Sequence, residues 1–150
     1  LDYGYAANVG YTFAANNVGV NAGYAKDEYA QAGQTASKTD WALSTNYGVY
    51  GEPGLYLAAL YNESKIEGSN YDATLQGYEL AAMYALQNNW GFLTGYNFAE
   101  DKDSGEDASD NYLLGAQYTF TSNFYSYAEY KVDQIEGADD QWTLALQYNY

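Results

Sequence analysis

Large apolar residues and small or polar residues alternate along most of this chain with a period of two. In the last nine residues, the bulky side chains of Trp142, Leu144, Leu146, Tyr148 and Tyr150 are separated by Thr, Ala, Gln and Asn. Because successive side chains of a strand point to opposite faces, this alternation predicts two-faced β-strands. Nine such runs are present, at about Asp2–Phe13, Val18–Ala25, Asp40–Tyr47, Leu55–Asn62, Leu75–Leu86, Trp90–Phe98, Asn111–Phe120, Phe124–Val132 and Trp142–Tyr150. The chain is therefore predicted to be all-β.

The runs have the length and the terminal residues of strands that cross a membrane. A tilted strand needs about 9–11 residues to span the hydrocarbon of a bilayer, which is close to the length of these runs. Tyr and Trp favour the boundary between lipid and water because each ring carries a polar tip. Candidate girdle residues are Tyr11, Phe13, Trp41, Tyr47, Trp90, Tyr118, Phe120, Trp142 and Tyr150. We predict a transmembrane antiparallel β-barrel.

A soluble barrel or sandwich also alternates and is the alternative fold. It would bury its large face, but here that face is rich in Tyr, whose hydroxyl needs a hydrogen-bond partner when buried. The opposite face is rich in Gly, Ala, Asn, Ser and Thr. This distribution favours lipid on the large face and water on the small face.

Short and long connections alternate between the runs. Tight links follow the odd runs, at Ala14–Asn17, Gly48–Gly54, Gln87–Asn89 and Thr121–Asn123. Long polar links follow the even runs, at about Lys26–Thr39, Glu63–Thr74, Ala99–Asp110 and Asp133–Gln141. Outer-membrane barrels have short periplasmic turns and long external loops, so we expect the long links to face outward.

The odd number of runs bears on domain organisation. Single-chain bacterial barrels have an even number of strands with both termini in the periplasm. A closed ring of this size would also have to be filled by inward side chains, and the small face is too small to do so. We therefore predict that residues 1–150 are a single β-barrel domain that forms the C-terminal part of a larger barrel.

The residue types exclude several kinds of chemistry. Cys and His are both absent, so no Ser-His-Asp or Cys-His arrangement and no Cys or His metal site can form. The acids of residues 101–107 lack the spacing of an EF-hand loop. We expect no enzyme activity, no cofactor, no metal site and no nucleic-acid partner.

Charge is concentrated outside the runs. Twenty acids stand against five basic residues, and most of the acids fall in or beside the long links. A predicted acidic vestibule comprises Asp101, Asp103, Glu106, Asp107, Asp139 and Asp140. Such a vestibule concentrates cations, although solubility and repulsion between neighbouring molecules would explain the same charge.

Polar residues within the runs are candidates for a pore lining. Those in phase with the small residues are Asn21, Asn46, Glu79, Asn97, Gln117, Glu129 and Lys131. Glu129 and Lys131 lie two apart on one face, where they could pair. The same phase contains four apolar residues, for which we expect a cover such as an infolded loop: Leu60, Met83, Leu93 and Leu113.

Residues 111–150 resemble the end of the general diffusion porins of Gram-negative bacteria. Tyr127–Ile135 is similar to their penultimate strand, and an acidic loop and an aromatic-ended strand follow it. The resemblance implies an outer-membrane trimer with barrels of about 16 strands, of which this chain corresponds to roughly strands 8 to 16. It also implies contact with lipid and lipopolysaccharide. The chain departs from the family in lacking Arg.

The resemblance implies two roles. The first is a channel for passive diffusion of small hydrophilic solutes, to which the acidic charge adds a predicted preference for cations; the alternative is a structural or adhesive barrel whose external loops bind a partner. The second role concerns the last strand. Its ridge of Trp142, Leu144, Leu146, Tyr148 and Tyr150 would be the signal for the outer-membrane insertion machinery, unless these residues only face lipid.

Overall fold

The computed structural model describes residues 3–31, 34–69 and 71–150. These residues form nine strands, which are β1 (Tyr3–Phe13), β2 (Val18–Gln31), β3 (Gln34–Tyr47), β4 (Gly54–Gly68), β5 (Asp72–Ala85), β6 (Trp90–Asp101), β7 (Glu106–Thr121), β8 (Phe124–Asp133) and β9 (Gln141–Tyr148). Within this part of the chain, no helix is long and apolar enough to cross a membrane. Asp2, which begins the first predicted run, lies outside the described residues. So do residues 32–33 and 70, which belong to two of the predicted links.

Each strand pairs antiparallel with its neighbours in sequence, and the nine form one sheet in the order β1 to β9. The first and last strands consequently run in the same direction. They lie at opposite edges and do not pair with each other, so the sheet is open. The predicted all-β antiparallel architecture is confirmed.

The strands extend well beyond the predicted runs, and the prediction of long loops is wrong for three of the four links. β2 and β3 continue through most of Lys26–Thr39, where Lys26 pairs with Thr39 and Glu28 with Ser37. β4 and β5 likewise continue to the pair Glu67 and Asp72. These segments lack hydrophobic alternation, yet their backbones still form ladder hydrogen bonds. Only residues 102–105 separate β6 from β7 in the described structure, whereas the link after β8 keeps its predicted length, at residues 134–140.

The two ends of the sheet are named here for later use. The turn end carries the connections after β1, β3, β5 and β7; the hairpin end carries those after β2, β4, β6 and β8. Left-handed residues close the turns at the turn end, with φ of 50° at Asn17, 70° at Asn89 and 88° at Gly48. This matches the predicted use of Asn and Gly in those turns.

The sheet is a single layer with two chemically different faces. No large side chain in the described part is fully buried, so the sheet has no core of its own. One face is bulky and apolar, and Val9, Leu57, Leu80, Leu114 and Leu144 on it are all between 40% and 80% exposed. A contiguous apolar face of this size is typical of a surface that contacts lipid or another protein.

Two belts of aromatic rings border this apolar face. Near the hairpin end, ring centroids lie 4.4 Å apart for Tyr130 and Trp142, and 5.1 Å apart for Trp41 and Tyr61. Near the turn end, Trp90 and Tyr118 lie 5.1 Å apart. Eight of the nine predicted girdle residues fall within these belts on β1, β3, β6, β7 and β9; Tyr150 lies beyond the end of β9.

Candidate pore wall

The face opposite the lipid face is the candidate pore wall. Strand register places Asn21 opposite Ser44, Ser44 opposite Leu60, Leu60 opposite Glu79, and Glu79 opposite Asn97. By the same register, all seven predicted pore-lining residues lie on this wall: Asn21, Asn46, Glu79, Asn97, Gln117, Glu129 and Lys131. The alternation in the sequence therefore assigns each of them to one face.

Neutral polar side chains on the wall bond to one another. The Asn97 amide donates to Asn111 Oδ1 at 3.1 Å, and the Asn111 amide donates to Ser109 Oγ at 2.9 Å. Asn111 is only 7% exposed. Because these amides satisfy each other across β6 and β7, they stiffen the wall without adding charge.

All five lysines of the chain are held in salt bridges with carboxylates. On the wall, Lys38 Nζ lies 3.0 Å from Asp40 Oδ1 and Lys131 Nζ lies 2.9 Å from Asp133 Oδ2. The other three lysines, Lys26, Lys65 and Lys102, pair with Glu28, Glu67 and Glu63. Since the chain has no Arg, every basic side chain in it is matched by an acid.

Some carboxylates on the wall take part in none of these salt bridges within the described residues, among them Glu79 and Glu129. Glu129 and Lys131 share one face, as predicted, but the suggested pairing is wrong, because Lys131 bonds to Asp133 at the end of β8. The wall therefore presents negative charge that no neighbouring cation neutralises.

The predicted acidic vestibule lies at the hairpin end, in two different settings. Asp101, Glu106 and Asp107 are strand residues, because β6 and β7 extend into the predicted loop, and Asp103 sits in the turn between them. This turn is closed by the Gly105 amide, which donates to the Asp101 carbonyl at 2.7 Å with Gly105 at φ 72°. The described residues contain no group of three or more His, Cys, Asp or Glu side chains that could hold a metal.

Asp139 and Asp140 lie in the connection between β8 and β9, where Asp140 has a structural role. Its carboxylate accepts hydrogen bonds from the Tyr130 hydroxyl at 2.5 Å and from the Asp133 amide at 3.0 Å. The Tyr130 hydrogen bond, followed by the Asp133 amide, lowers the pKa of Asp140 from its ordinary value. Asp140 thus ties the connection to β8.

The four inward apolar residues lie on the wall as predicted, but the sequence analysis missed the tyrosines that accompany them. Met83 is opposite Leu93 across β5 and β6. Tyr125 and Tyr127 share the wall with Glu129 on β8, as their spacing of two in the sequence requires. Their phase relative to Glu129 was the signal that could have found them.

The last strand presents the predicted ridge. Trp142, Leu144, Leu146 and Tyr148 are 64–80% exposed on the lipid face of β9, which pairs only with β8. The strand ends at Tyr148, two residues before its predicted end. The Asn149 amide donates to the Asn123 carbonyl at 2.8 Å, and β8 begins at Phe124, so Tyr150 lies beyond the paired part of these two strands.

Comparison with known proteins agrees with this geometry. A family model described as Gram-negative porin matches residues 2–149. The chain belongs to the Gram-negative porin family. Porin-like protein L of Photobacterium profundum is 29% identical over 95% of this chain and 47% of its own length. Outer membrane protein U of Vibrio parahaemolyticus is 30% identical over 91% of this chain and 36% of its own length.

Solved porin structures share the fold. OmpF of Salmonella typhi, solved in complex with daunomycin, aligns with a TM-score of 0.79 at 20% identity over 97% of this chain and 49% of that protein. OmpT of Vibrio cholerae, solved in a trimer form, aligns with a TM-score of 0.66 at 19% identity over 94% of this chain and 54% of that protein. This porin is thus a protein of the bacterial outer membrane. The chain spans about half the length of the curated relatives or less, at 47% and 36% of the first two.

Proposed function

We propose that the complete protein forms a water-filled, non-enzymatic channel that passes small hydrophilic solutes and prefers cations. The main support for this proposal is the charge of the candidate pore wall. Both wall lysines are held by aspartates, whereas Glu79 and Glu129 take part in none of the described salt bridges. A cation moving along this wall meets uncompensated negative charge, and an anion meets no unpaired lysine.

In this proposal, residues 1–150 supply the C-terminal half of a barrel of about 16 strands. The edges of β1 and β9 would pair with strands of the remaining protein, because an open edge in hydrocarbon leaves backbone groups unsatisfied. A homotrimer is part of the proposal, since OmpT of Vibrio cholerae has been solved as a trimer. The lipid face would contact outer-membrane lipid.

The hairpin end would face outward and the turn end the periplasm. Paired strands at the hairpin end continue past the aromatic belt and carry most of the acids, which suits a rim in water beside lipopolysaccharide. Asp101, Asp103, Glu106, Asp107 and Asp139 would then form an acidic vestibule above the pore, to which Asp140 would add its charge.

The full-length protein in planar bilayers tests the proposal through the reversal potential under a potassium chloride gradient. We expect potassium to be more permeant than chloride, with the difference growing at low salt because screening weakens. The double variant Glu79→Gln and Glu129→Gln should lower the permeability ratio by roughly twofold or more. Glu67→Gln, the same change on the outer face of β4, is the matched control and should leave the ratio unchanged.

Two results would count against the proposal. Chloride preference in the unmodified protein would contradict the role given to the wall carboxylates. Absence of any conductance would instead favour a structural or adhesive barrel whose external segments bind a partner.

A further inference from the structure

A cavity of about 350 Å³ lies on the candidate pore wall at the turn end of the sheet. Its lining includes Met83, Leu93, Tyr125, Tyr127 and Glu129, together with Tyr50 from the turn between β3 and β4. Pockets for small ligands begin at about 300 Å³ and combine apolar walls with a few polar groups. The size and composition of this cavity suit a small organic molecule.

Two glycines border the cavity, and Gly91 is part of its lining. Gly91 lies under Met83, and a Cβ atom at Gly91 would come within 3.3 Å of Met83 Cε. Gly115 stands between Leu93 of β6 and Glu129 of β8 in the strand register. Because neither glycine has a side chain, space remains between two groups of residues on the wall. The first group is the apolar residues of β5 and β6, and the second is the tyrosines and the carboxylate of β8.

Tyr50, in the turn between β3 and β4, forms one border of the cavity. Its ring contacts the ring of Tyr56 edge to face, with centroids 5.5 Å apart, and Tyr56 is opposite Met83 on the wall. Gly51 and Gly54, at φ of 83° and 128°, allow the turn to bend in this way. Tyr50 remains 71% exposed, so most of its ring is available for a further contact.

The chemistry of the lining selects a class of ligand. Tyrosine rings attract a cation through their π faces, and the flexible thioether of Met83 adapts to apolar groups. Glu129 supplies a negative charge, and the nearest lysine in sequence, Lys131, is bound to Asp133 at 2.9 Å instead. An ammonium group would therefore find a carboxylate and aromatic rings, and an attached ring or short alkyl chain would find Met83 and Leu93.

We propose that this cavity is a binding site for a small amphipathic organic cation, an ammonium group that carries an aromatic ring or a short alkyl chain. The proposal rests on the proposed channel function for its route of access, since the ligand would reach the site from the water-filled lumen. It goes beyond the channel function by naming a class of solute that binds within the pore. The binding position lies near the turn end of the wall, away from the acidic hairpin end.

Benzyltrimethylammonium is the probe, because its charge is permanent and its ring is apolar. Added to the full-length protein in planar bilayers, it should interrupt the potassium current in a concentration-dependent way. Glu129→Gln should raise the half-blocking concentration by roughly tenfold. Tyr127→Leu should raise it by about threefold to tenfold, whereas Tyr125→Phe, which keeps the ring, should change it little.

Matched probes and a matched variant define the specificity. Tetramethylammonium, which has the charge without the ring, should block more weakly, and benzoate, which has the ring with the opposite charge, should not block. Glu79→Gln removes a wall carboxylate outside the cavity, so it should lower the cation preference while changing the half-blocking concentration less than twofold. Equal block of the unmodified protein and the Glu129→Gln variant, or equal block by the two ammonium ions, would overturn the proposal.

A binding measurement separates failure of the site from failure of the channel. Equilibrium binding of benzyltrimethylammonium to the detergent-solubilised full-length protein should be weakened by Glu129→Gln as strongly as the block is. If the protein conducts but does not bind the probe, the site is refuted and the channel stands. If it does not conduct but binds the probe in a Glu129-dependent manner, the channel fails and the site stands.

Discussion

Two adjacent alanines of β5 offer a direct test of the faces of the sheet. Ala82 lies on the lipid face between the belt residues Tyr78 and Tyr84, close to the middle of the apolar band. Ala81 lies on the candidate pore wall, opposite the small Ala58. The same substitution at both positions therefore places one charge in lipid and the other in water.

The expected difference is large. An arginine on the lipid face of a transmembrane barrel costs about 2–4 kcal/mol at the middle of the bilayer, and less toward the interfaces. Ala82→Arg should therefore lower the folding equilibrium constant by roughly 30- to 700-fold. Ala81→Arg has small neighbours and a solvated face, so its cost should stay within about 0.5 kcal/mol.

Reversible denaturant titration of the full-length protein in lipid vesicles measures both values under one set of conditions. The unmodified protein supplies the reference, and the pair of variants controls for the effect of added positive charge. Equal destabilisation by the two substitutions, or a greater cost at Ala81, would refute the assignment of the bulky face to lipid.

Three further predictions concern the last strand, the acidic connection and one crowded glycine. Deleting Tyr150, which lies beyond the end of β9, should slow membrane insertion in cells yet leave the refolded barrel as heat-resistant as before; unchanged insertion kinetics would show that it is not part of an assembly signal. Asp140 has a lowered pKa because the Tyr130 hydroxyl donates to it, so its stabilising effect is present above the ordinary value and is lost as the pH falls through the lower folded value. Protection of residues 134–140 against hydrogen exchange, taken relative to the intrinsic rate at each pH, should therefore fall in strong acid, and an Asp140→Asn variant should lack this pH-dependent fall; a variant with the same response would point to another group. Gly77→Ala should destabilise the barrel by about 1–3 kcal/mol in a denaturant titration, because its Cβ would lie 2.9 Å from the Phe98 carbonyl oxygen; an unchanged midpoint would mean that the strands move apart without cost.

The alternation of side chains was enough to predict the strands and their faces. Where one face of a strand meets lipid and the other meets water, apolar and polar residues must alternate. The alternation from Leu75 to Leu86 therefore indicates both that the segment is a strand and which face each side chain occupies. This is why Glu79, Asn97 and Glu129 were assigned to one wall before any strand pairing was known. The turns at Asn17 and Asn89 followed from their tolerance of left-handed backbone.

The length of the strands could not be predicted in the same way. Beyond the aromatic belt near the hairpin end both faces meet water, so Lys26–Gln31 and Glu63–Gly68 carry no alternation that distinguishes strand from loop. Backbone pairing with the adjacent strand decides their conformation, as the register of Glu67 with Asp72 shows. Pairing between segments is a tertiary property that local composition does not report.

The cavity and the charge balance of the wall also depend on tertiary structure. Lys131 has carboxylates two positions away on either side, at Glu129 and Asp133, and only the geometry of the strand end decides that it binds Asp133. The cavity forms only because strand register brings Met83 and Leu93 to the same part of the wall as Tyr127 and Glu129, with Gly91 beside Met83. The sequence by itself determined which face each residue occupies, since that requires only a period of two. Tertiary structure decided which residues on that face meet, because side chains on different strands become neighbours only through the register of the sheet.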